Sequence, residues 1–239
     1  MINQRARAAV RRLQACLLLF GLSVSAYAAQ PYATDDAAIL GKGTCQLEIG
    51  RLANRDAHEL WLLPACNFTG NVELTLGKLQ FNEADSTRNL YVLQGKGVFF
   101  RETDSPHAWG WLAGLRGHHQ TADDRRQLSA VFGSLLYTYE AYRDLLLFHV
   151  NIGGRSDRDD RRNATTWGSA AEFRMNSHFT LIGEFFGDDR VPAFHQLGIR
   201  AALIPDRLEF DVSYGANSGR QADTRWWTLG IRIMQAGLL

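Results

Sequence analysis

The run FHQLGIRAALIPDRLEFDVSYG, residues 194–215, decides the fold. Leu197, Ile199, Ala201 and Leu203 alternate with Gln196, Gly198, Arg200 and Ala202. Beyond Pro205-Asp206, the apolar Leu208, Phe210, Val212 and Tyr214 alternate with Glu209, Asp211 and Ser213. Strand side chains point to opposite faces with period two, so each run is apolar on one face and polar on the other. A two-residue turn at Pro205-Asp206 places Arg200 directly opposite Asp211 on the polar face. In a soluble sandwich the apolar face meets a second sheet. In a membrane barrel it meets lipid, and the charged face lines a lumen.

The start of the chain favours export. Arg5, Arg7, Arg11 and Arg12 precede an apolar run from Leu13, which ends in the small-residue word Ala26-Tyr27-Ala28. This is the three-part pattern of a secretory signal peptide, so residues 1–28 read as a signal with cleavage after Ala28. The apolar run is too short for a spanning helix, and no later run is long enough. Loss of the four arginines takes the formal net charge from +1 to −3. A near-neutral chain of this kind gives no reason to expect nucleic acid as a partner.

Cys45 and Cys66 remain in the exported part, where disulfides persist. A turn centred on Arg55-Asp56 aligns them across two strands, so they read as a disulfide. No His or Cys cluster at ligand spacing accompanies them, and nothing in the pattern calls for a metal or another cofactor.

Further period-two runs follow at residues 44–52, 58–68, 72–81, 89–101, 109–119, 128–139, 145–155, 165–175, 179–187 and 225–234. With the two opening runs these make roughly twelve strands of about ten residues, the length of a tilted membrane strand. The connections sort by position. Residues 69–71, 141–144, 176–178 and 205–206 are tight, whereas 82–88, 120–127, 156–164, 188–193 and 216–224 are longer and polar. One connection on the tight side, residues 102–108, is longer than that scheme requires. Short turns on one side and long loops on the other are the outer-membrane barrel pattern, with both termini in the periplasm. Trp61, Trp109, Trp111, Tyr137, Trp167, Trp226 and Trp227 lie near strand ends, where interfacial girdles need aromatics. The chain closes on Gln235-Ala236-Gly237-Leu238-Leu239, without the terminal aromatic common to such barrels.

Residues 29–43 read as a polar periplasmic approach to the first strand, and residues 44–239 as the barrel. Within these parts, Ala33-Thr34-Asp35-Asp36-Ala37, Gly41-Lys42-Gly43 and Gln46-Leu47-Glu48 resemble the start of one family's mature proteins. It is the family of outer-membrane channel proteins named after the MetA pathway of phenol degradation. Leu63-Pro64-Ala65-Cys66-Asn67 and Gly70-Asn71-Val72-Glu73-Leu74-Thr75 resemble its cysteine-pair subgroup. The resemblance is clearest over residues 31–77. It implies a barrel and uptake of small apolar or aromatic compounds, and it supplies no catalytic residue.

On alternation, the polar face carries Glu48, Glu73, Arg116, His149, Asn151, Glu172, Arg174, Glu184, Arg200, Glu209, Asp211 and Arg232. Acids and bases interleave from strand to strand, and closure brings Arg232 on the last strand near Glu48 on the first. Buried charge is tolerable when paired, so these residues read as a structural charge ladder. The alternative is a polar pore or ligand site lined by the same side chains. A barrel lipid hydrolase would need a Ser–His contact oriented by a third group. His118, His119, Asp123, Asp124, Ser129 and Ser134 are its candidates, and no motif ties them together. The charged run at residues 155–163 could serve an adhesive barrel, though such runs are ordinarily solvated loops.

The expectation is therefore an all-β, transmembrane antiparallel up-and-down barrel in the outer membrane that passes or binds small molecules and is not an enzyme. Its implied partners are outer-membrane lipid, a small-molecule solute and the barrel-assembly machinery.

Overall fold

The computed structural model describes residues 32–238 except residues 84–85, 102–104, 121–124, 143–144, 159–160 and 220–224. The proposed signal peptide lies outside the described residues. Twelve strands alternate with short connections: β1 Thr44–Ala53, β2 Ala57–Asn67, β3 Val72–Glu83, β4 Ser86–Arg101, β5 His107–Gln120 and β6 Arg125–Tyr142. They continue as β7 Leu146–Asp157, β8 Arg162–Arg174, β9 Phe179–Asp188, β10 Phe194–Ile204, β11 Leu208–Asn217 and β12 Arg225–Gln235. Each strand pairs antiparallel with its neighbours in sequence, and β1 pairs with β12, so the sheet closes on itself. Closure removes the two unpaired edges that an open sheet would present.

The opening run behaves as its alternation requires. Arg200 faces Asp211 across β10 and β11, although a register shift lies between Ala202 and Ile204. The connecting turn holds Asp206 at a φ of 59°, and the Arg207 amide donates to the Ile204 carbonyl at 3.0 Å. Aspartate tolerates that left-handed position better than most residues. Leu197, Ile199 and Leu203 are 59%, 45% and 62% exposed, whereas Gln196 and Asp211 are buried. The apolar face thus points outward all round the barrel, with Leu76, Ile152, Phe185, Trp227 and Ile233 among its other members. In water each such side chain would forgo roughly 1.5–3 kcal/mol of burial. In lipid that cost disappears, and every backbone group of a closed sheet is already paired.

The strands run further than their apolar stretches. Residues 82–88 read as a polar loop, yet β3 extends to Glu83 and β4 starts at Ser86. Residues 120–127 likewise shrink to residues 121–124 between β5 and β6. Ladder hydrogen bonds join backbones, so pairing continues above the apolar band with polar side chains attached.

The first hairpin has the predicted register. Cys45 stands opposite Cys66, and the two are joined by a disulfide. At the turn, the Asn54 side chain accepts from the Asp56 and Ala57 amides at 2.9 and 2.7 Å. Closing a loop of about 20 residues stabilises a chain by about 3 kcal/mol. Replacing both cysteines by alanine should lower the unfolding free energy in detergent by about that amount. Urea titration followed by tryptophan fluorescence measures the difference.

Candidate functional site

Both chain ends enter the sheet at one end of the barrel, where Cys45 pairs with Gln235. From that terminal end, three layers of inward-facing side chains rise toward the opposite, loop end. They are a charge network, an apolar band and a rim of charges.

The charge network lies nearest the termini. Arg200 Nε meets Asp211 at 2.9 Å and Glu209 at 3.7 Å, while its Nη1 lies 3.5 Å from Glu172. Arg232 Nε meets Glu48 at 2.8 Å, and its Nη1 meets Glu209 at 2.9 Å. These contacts join β8, β10, β11 and β12 to β1 across the closing seam. Glu48 and Asp211 are 3% and 1% exposed, so each relies on its arginine rather than on water. Arg174, at the end of β8, is exposed. Arg116 lies high on β5, its guanidinium 6.0 Å from the Phe132 ring centroid.

Residues 32–43 do more than approach β1. They run along the inner wall and touch the strands in turn. The Tyr32 ring lies beneath Arg200, 5.7 Å from its guanidinium carbon. Burial, then the Asp211 carboxylate, pushes the Tyr32 hydroxyl above its usual pKa, so the ring stays neutral. On β9, Glu184 accepts from the Ala33 amide at 2.9 Å and the Thr34 amide at 2.8 Å. On β7, Asn151 brackets Asp35 in the amide orientation that satisfies both ends. Its oxygen accepts from the Asp35 amide at 2.6 Å, and its nitrogen donates to the Asp35 carbonyl at 2.9 Å. On β6, Thr138 Oγ1 accepts from the Ala37 amide at 2.8 Å and stands 2.9 Å from His149 Nδ1. On β3, Glu73 accepts from the Leu40 amide at 3.0 Å, and on β2 the Asn67 side chain donates to the Leu40 carbonyl.

One cation anchors the middle of this inner segment. Lys96 Nζ, on β4, lies 2.6 Å from Asp35 and 2.8 Å from Asp36. Small residues make room for the chain. A Cβ added at Gly168 would stand 2.6 Å from Thr34 Oγ1, and one at Gly110 would stand 3.5 Å from Ala37 Cα. His149 Nε2 is buried with no hydrogen-bond partner.

Above the segment the interior turns apolar, which the alternation reading did not foresee. Trp61, Leu63, Leu79 and Leu90 form one buried cluster, packed by Leu52, Phe81 and Val92. Ala37 of the inner segment joins Leu112, Phe132 and Leu136 in a second. Phe186 and Phe194 stack at 5.5 Å between centroids, and each meets the edge of Trp226. Their signal was present in the sequence. Trp61, Leu79, Phe132 and Trp226 share strand parity with polar-face residues, a pattern easily taken for a break in alternation. Charges return at the loop end, where Arg155 Nε lies 2.6 Å from Asp157 and its Nη2 3.7 Å from Asp188.

The hydrolase candidates fall only in part within the described residues. The Ser129 hydroxyl donates to the Arg116 carbonyl at 3.1 Å, and Asp123 and Asp124 lie outside the described residues. Among the described residues no group of three or more His, Cys, Asp or Glu could hold a metal ion.

A closed twelve-stranded antiparallel barrel, apolar outside and charged within, is the architecture of outer-membrane porins and channels. The chain belongs to the family described as uncharacterised conserved protein UCP029691, whose model matches residues 16–235. No curated protein sequence matches it. Among solved structures it is similar to the KdgM porin in complex with disordered oligogalacturonate, with a TM-score of 0.63 and 13% identity over 79% of this chain and 98% of the other. It is also similar to the COG4313 outer membrane channel from Pseudomonas putida F1, with a TM-score of 0.57 and 9% identity over 87% and 100%. For the NanC porin the TM-score is 0.56 at 13% identity, over 79% and 98%. At these identities the likeness concerns the fold.

Lys96 holds two carboxylates of the inner segment, so Lys96→Met should leave Asp35 and Asp36 uncompensated in the interior. The barrel ladder should survive while the segment loosens. Hydrogen exchange by mass spectrometry should show at least a tenfold loss of protection over residues 33–40, with β7 to β9 unchanged.

Proposed function

We propose that the chain is an outer-membrane barrel that binds small apolar molecules at its loop end and passes them toward the periplasm, and that it is not an enzyme. The observation that carries this reading is the apolar inner wall above residues 32–43. A water-filled porin keeps a polar interior, and aromatic and aliphatic side chains there suit a solute with little to hydrate. The resemblance of residues 31–77 to channels of the MetA pathway of phenol degradation supports the same solute class. The lipid-facing band, the seam closed between β1 and β12, and the signal-like residues 1–28 support export and insertion in the outer membrane. There lipid would surround the barrel and assembly machinery would insert it. The Cys45–Cys66 disulfide suits an oxidising periplasm.

A second reading, a purely structural barrel, draws on the inner segment and the paired charges, which together fill the terminal half. Conductance separates the two. The proposal expects small current steps in planar bilayers, since the network leaves little open section. Acids outnumber cations among the described inward residues of the terminal half, so the current should favour cations, and Arg200→Glu should alter that selectivity. Proteoliposomes should admit 4-fluorotoluene faster than protein-free vesicles. A silent barrel with no added flux would leave the structural reading standing.

A further inference from the structure

The outward face of the barrel carries cations within its apolar band. Arg51 on β1 and Lys78 on β3 are exposed and follow the parity of the lipid-facing residues. Arg51 stands opposite Leu60 on one side and Leu229 on the other. Lys78 stands between Leu62 and Tyr91. These four neighbours are 39% to 49% exposed, so both cations share the surface that meets lipid.

The aromatics define their height. Tyr214 and Trp227 face each other across β11 and β12, with ring centroids 4.8 Å apart. Trp227 also stands opposite Ala53, one pleat nearer the loop end than Arg51. Aromatic side chains of this kind mark the membrane interface. Arg51 therefore starts on the acyl-chain side of that interface, and Lys78 lies level with Tyr91. A charge at such a position is costly unless its long side chain carries it to the interface and an anion receives it there.

The wall supplies no such anion. Among the described residues, Glu48, Glu59 and Glu73 are buried inside, Glu83 follows the parity of Glu73, and β4 and β12 carry no acid. A second copy docked through the same sector would set cation against cation. Nearer the loop end the face turns to neutral polar groups. Gln80 and Asn82 follow Lys78, opposite Asn89 and Thr87. Amides at that depth can donate to and accept from sugar hydroxyls.

We propose that the sector from β12 to β4 binds the phosphorylated glycolipid of the outer leaflet, lipopolysaccharide, with Arg51 and Lys78 taking phosphate and Gln80 and Asn82 the sugar above it. This rests on the outer-membrane barrel and not on the passage of solutes. Two strand spacings separate the cations, about 10 Å, and one pleat, about 7 Å, so two long side chains reach one headgroup. Arginine offers phosphate a planar fork, and lysine a point charge. Long loops face the outside in such barrels, which sets this end of the sector in the glycolipid leaflet. Arg225 is exposed at the loop end of β12, on the face of Trp227. A headgroup that engages both Arg51 and Arg225 bridges the closing seam.

The test titrates the full-length oxidised barrel in detergent with diphosphoryl lipid A and with phosphatidylglycerol, reading the complexes by native mass spectrometry. Lipid A should bind saturably, at least tenfold more tightly than phosphatidylglycerol, and should raise the unfolding temperature. Arg51→Gln combined with Lys78→Gln should weaken lipid A at least tenfold while heat-modifiable gel migration is retained. If the pair fails to fold, Lys78→Gln alone should give at least a threefold loss. Arg207→Gln, at an exposed cation of the opposite end, should leave binding unchanged.

Equal affinity for the two lipids would show a general preference for anionic lipid and overturn the assignment. Undiminished binding in a folded Arg51→Gln, Lys78→Gln barrel, or an equal loss in Arg207→Gln, would overturn the role of the sector. Pairing of barrels that the double substitution abolishes would assign the face to a second copy and overturn the proposal as well.

Discussion

The Glu184 carboxylate, taking the amides of Ala33 and Thr34, shows the constraint on which the interior depends. A chain laid inside a closed sheet cannot use the ladder for its own backbone groups, because every strand is already paired on both sides. Each buried amide left over costs about 1–3 kcal/mol unless a side chain accepts it. The wall supplies Glu184, Asn151, Thr138 and Glu73 in succession, one for each step of the segment. The same carboxylates and amides would be costly on an empty wall. Segment and wall thus satisfy one another.

This reciprocity explains the placement of charge. Lys96 is 6% exposed and draws two carboxylates from the segment, while Arg200 and Arg232 draw theirs from neighbouring strands. Where the segment runs, wall charge is matched by the segment. Where the wall faces itself, strand matches strand. Above both, aliphatic and aromatic side chains need no partner and pack over glycines, as Phe132 does over Gly114 and Trp226 over Gly215. Arg88 over Phe81 and Arg116 over Phe132 mark the upper edge of that band, where a guanidinium can rest on a ring face.

Strand pairing was legible because period two and turn chemistry act locally. Arg200 opposite Asp211, Cys45 opposite Cys66 and Arg232 beside Glu48 follow from counting residues across a turn or around the closing seam. Strand ends were less legible at residues 82–88 and 120–127, since polar side chains there conceal a continuing backbone ladder. The inner segment was not legible at all. Its twelve residues carry no period, and their conformation is set by acceptors that lie up to 151 positions away in the chain. The apolar interior was hidden for a different reason. Trp61 and Leu79 fall on the face that also bears Glu59 and Glu73, and a rule that assigns one polarity to each face cannot divide a face by height.

Division by height is what gives the barrel a direction. In the proposed passage, a neutral solute entering at the loop end passes a rim where Arg155 is paired with Asp157 and reaches surfaces it can dehydrate against. Beneath them it meets residues 32–37, where backbone groups are spent on the wall and further progress would displace charge-assisted hydrogen bonds of about 1.5–3 kcal/mol each. Several such bonds act together, so thermal displacement of the segment is rare, and solute residence above it is favoured over free flow. Inorganic ions meet the same order, and for them the apolar band between the charged rim and the charge network is the costly step. In the proposed passage, the layering selects against hydrated ions at the apolar band and slows apolar solutes at the segment beneath it.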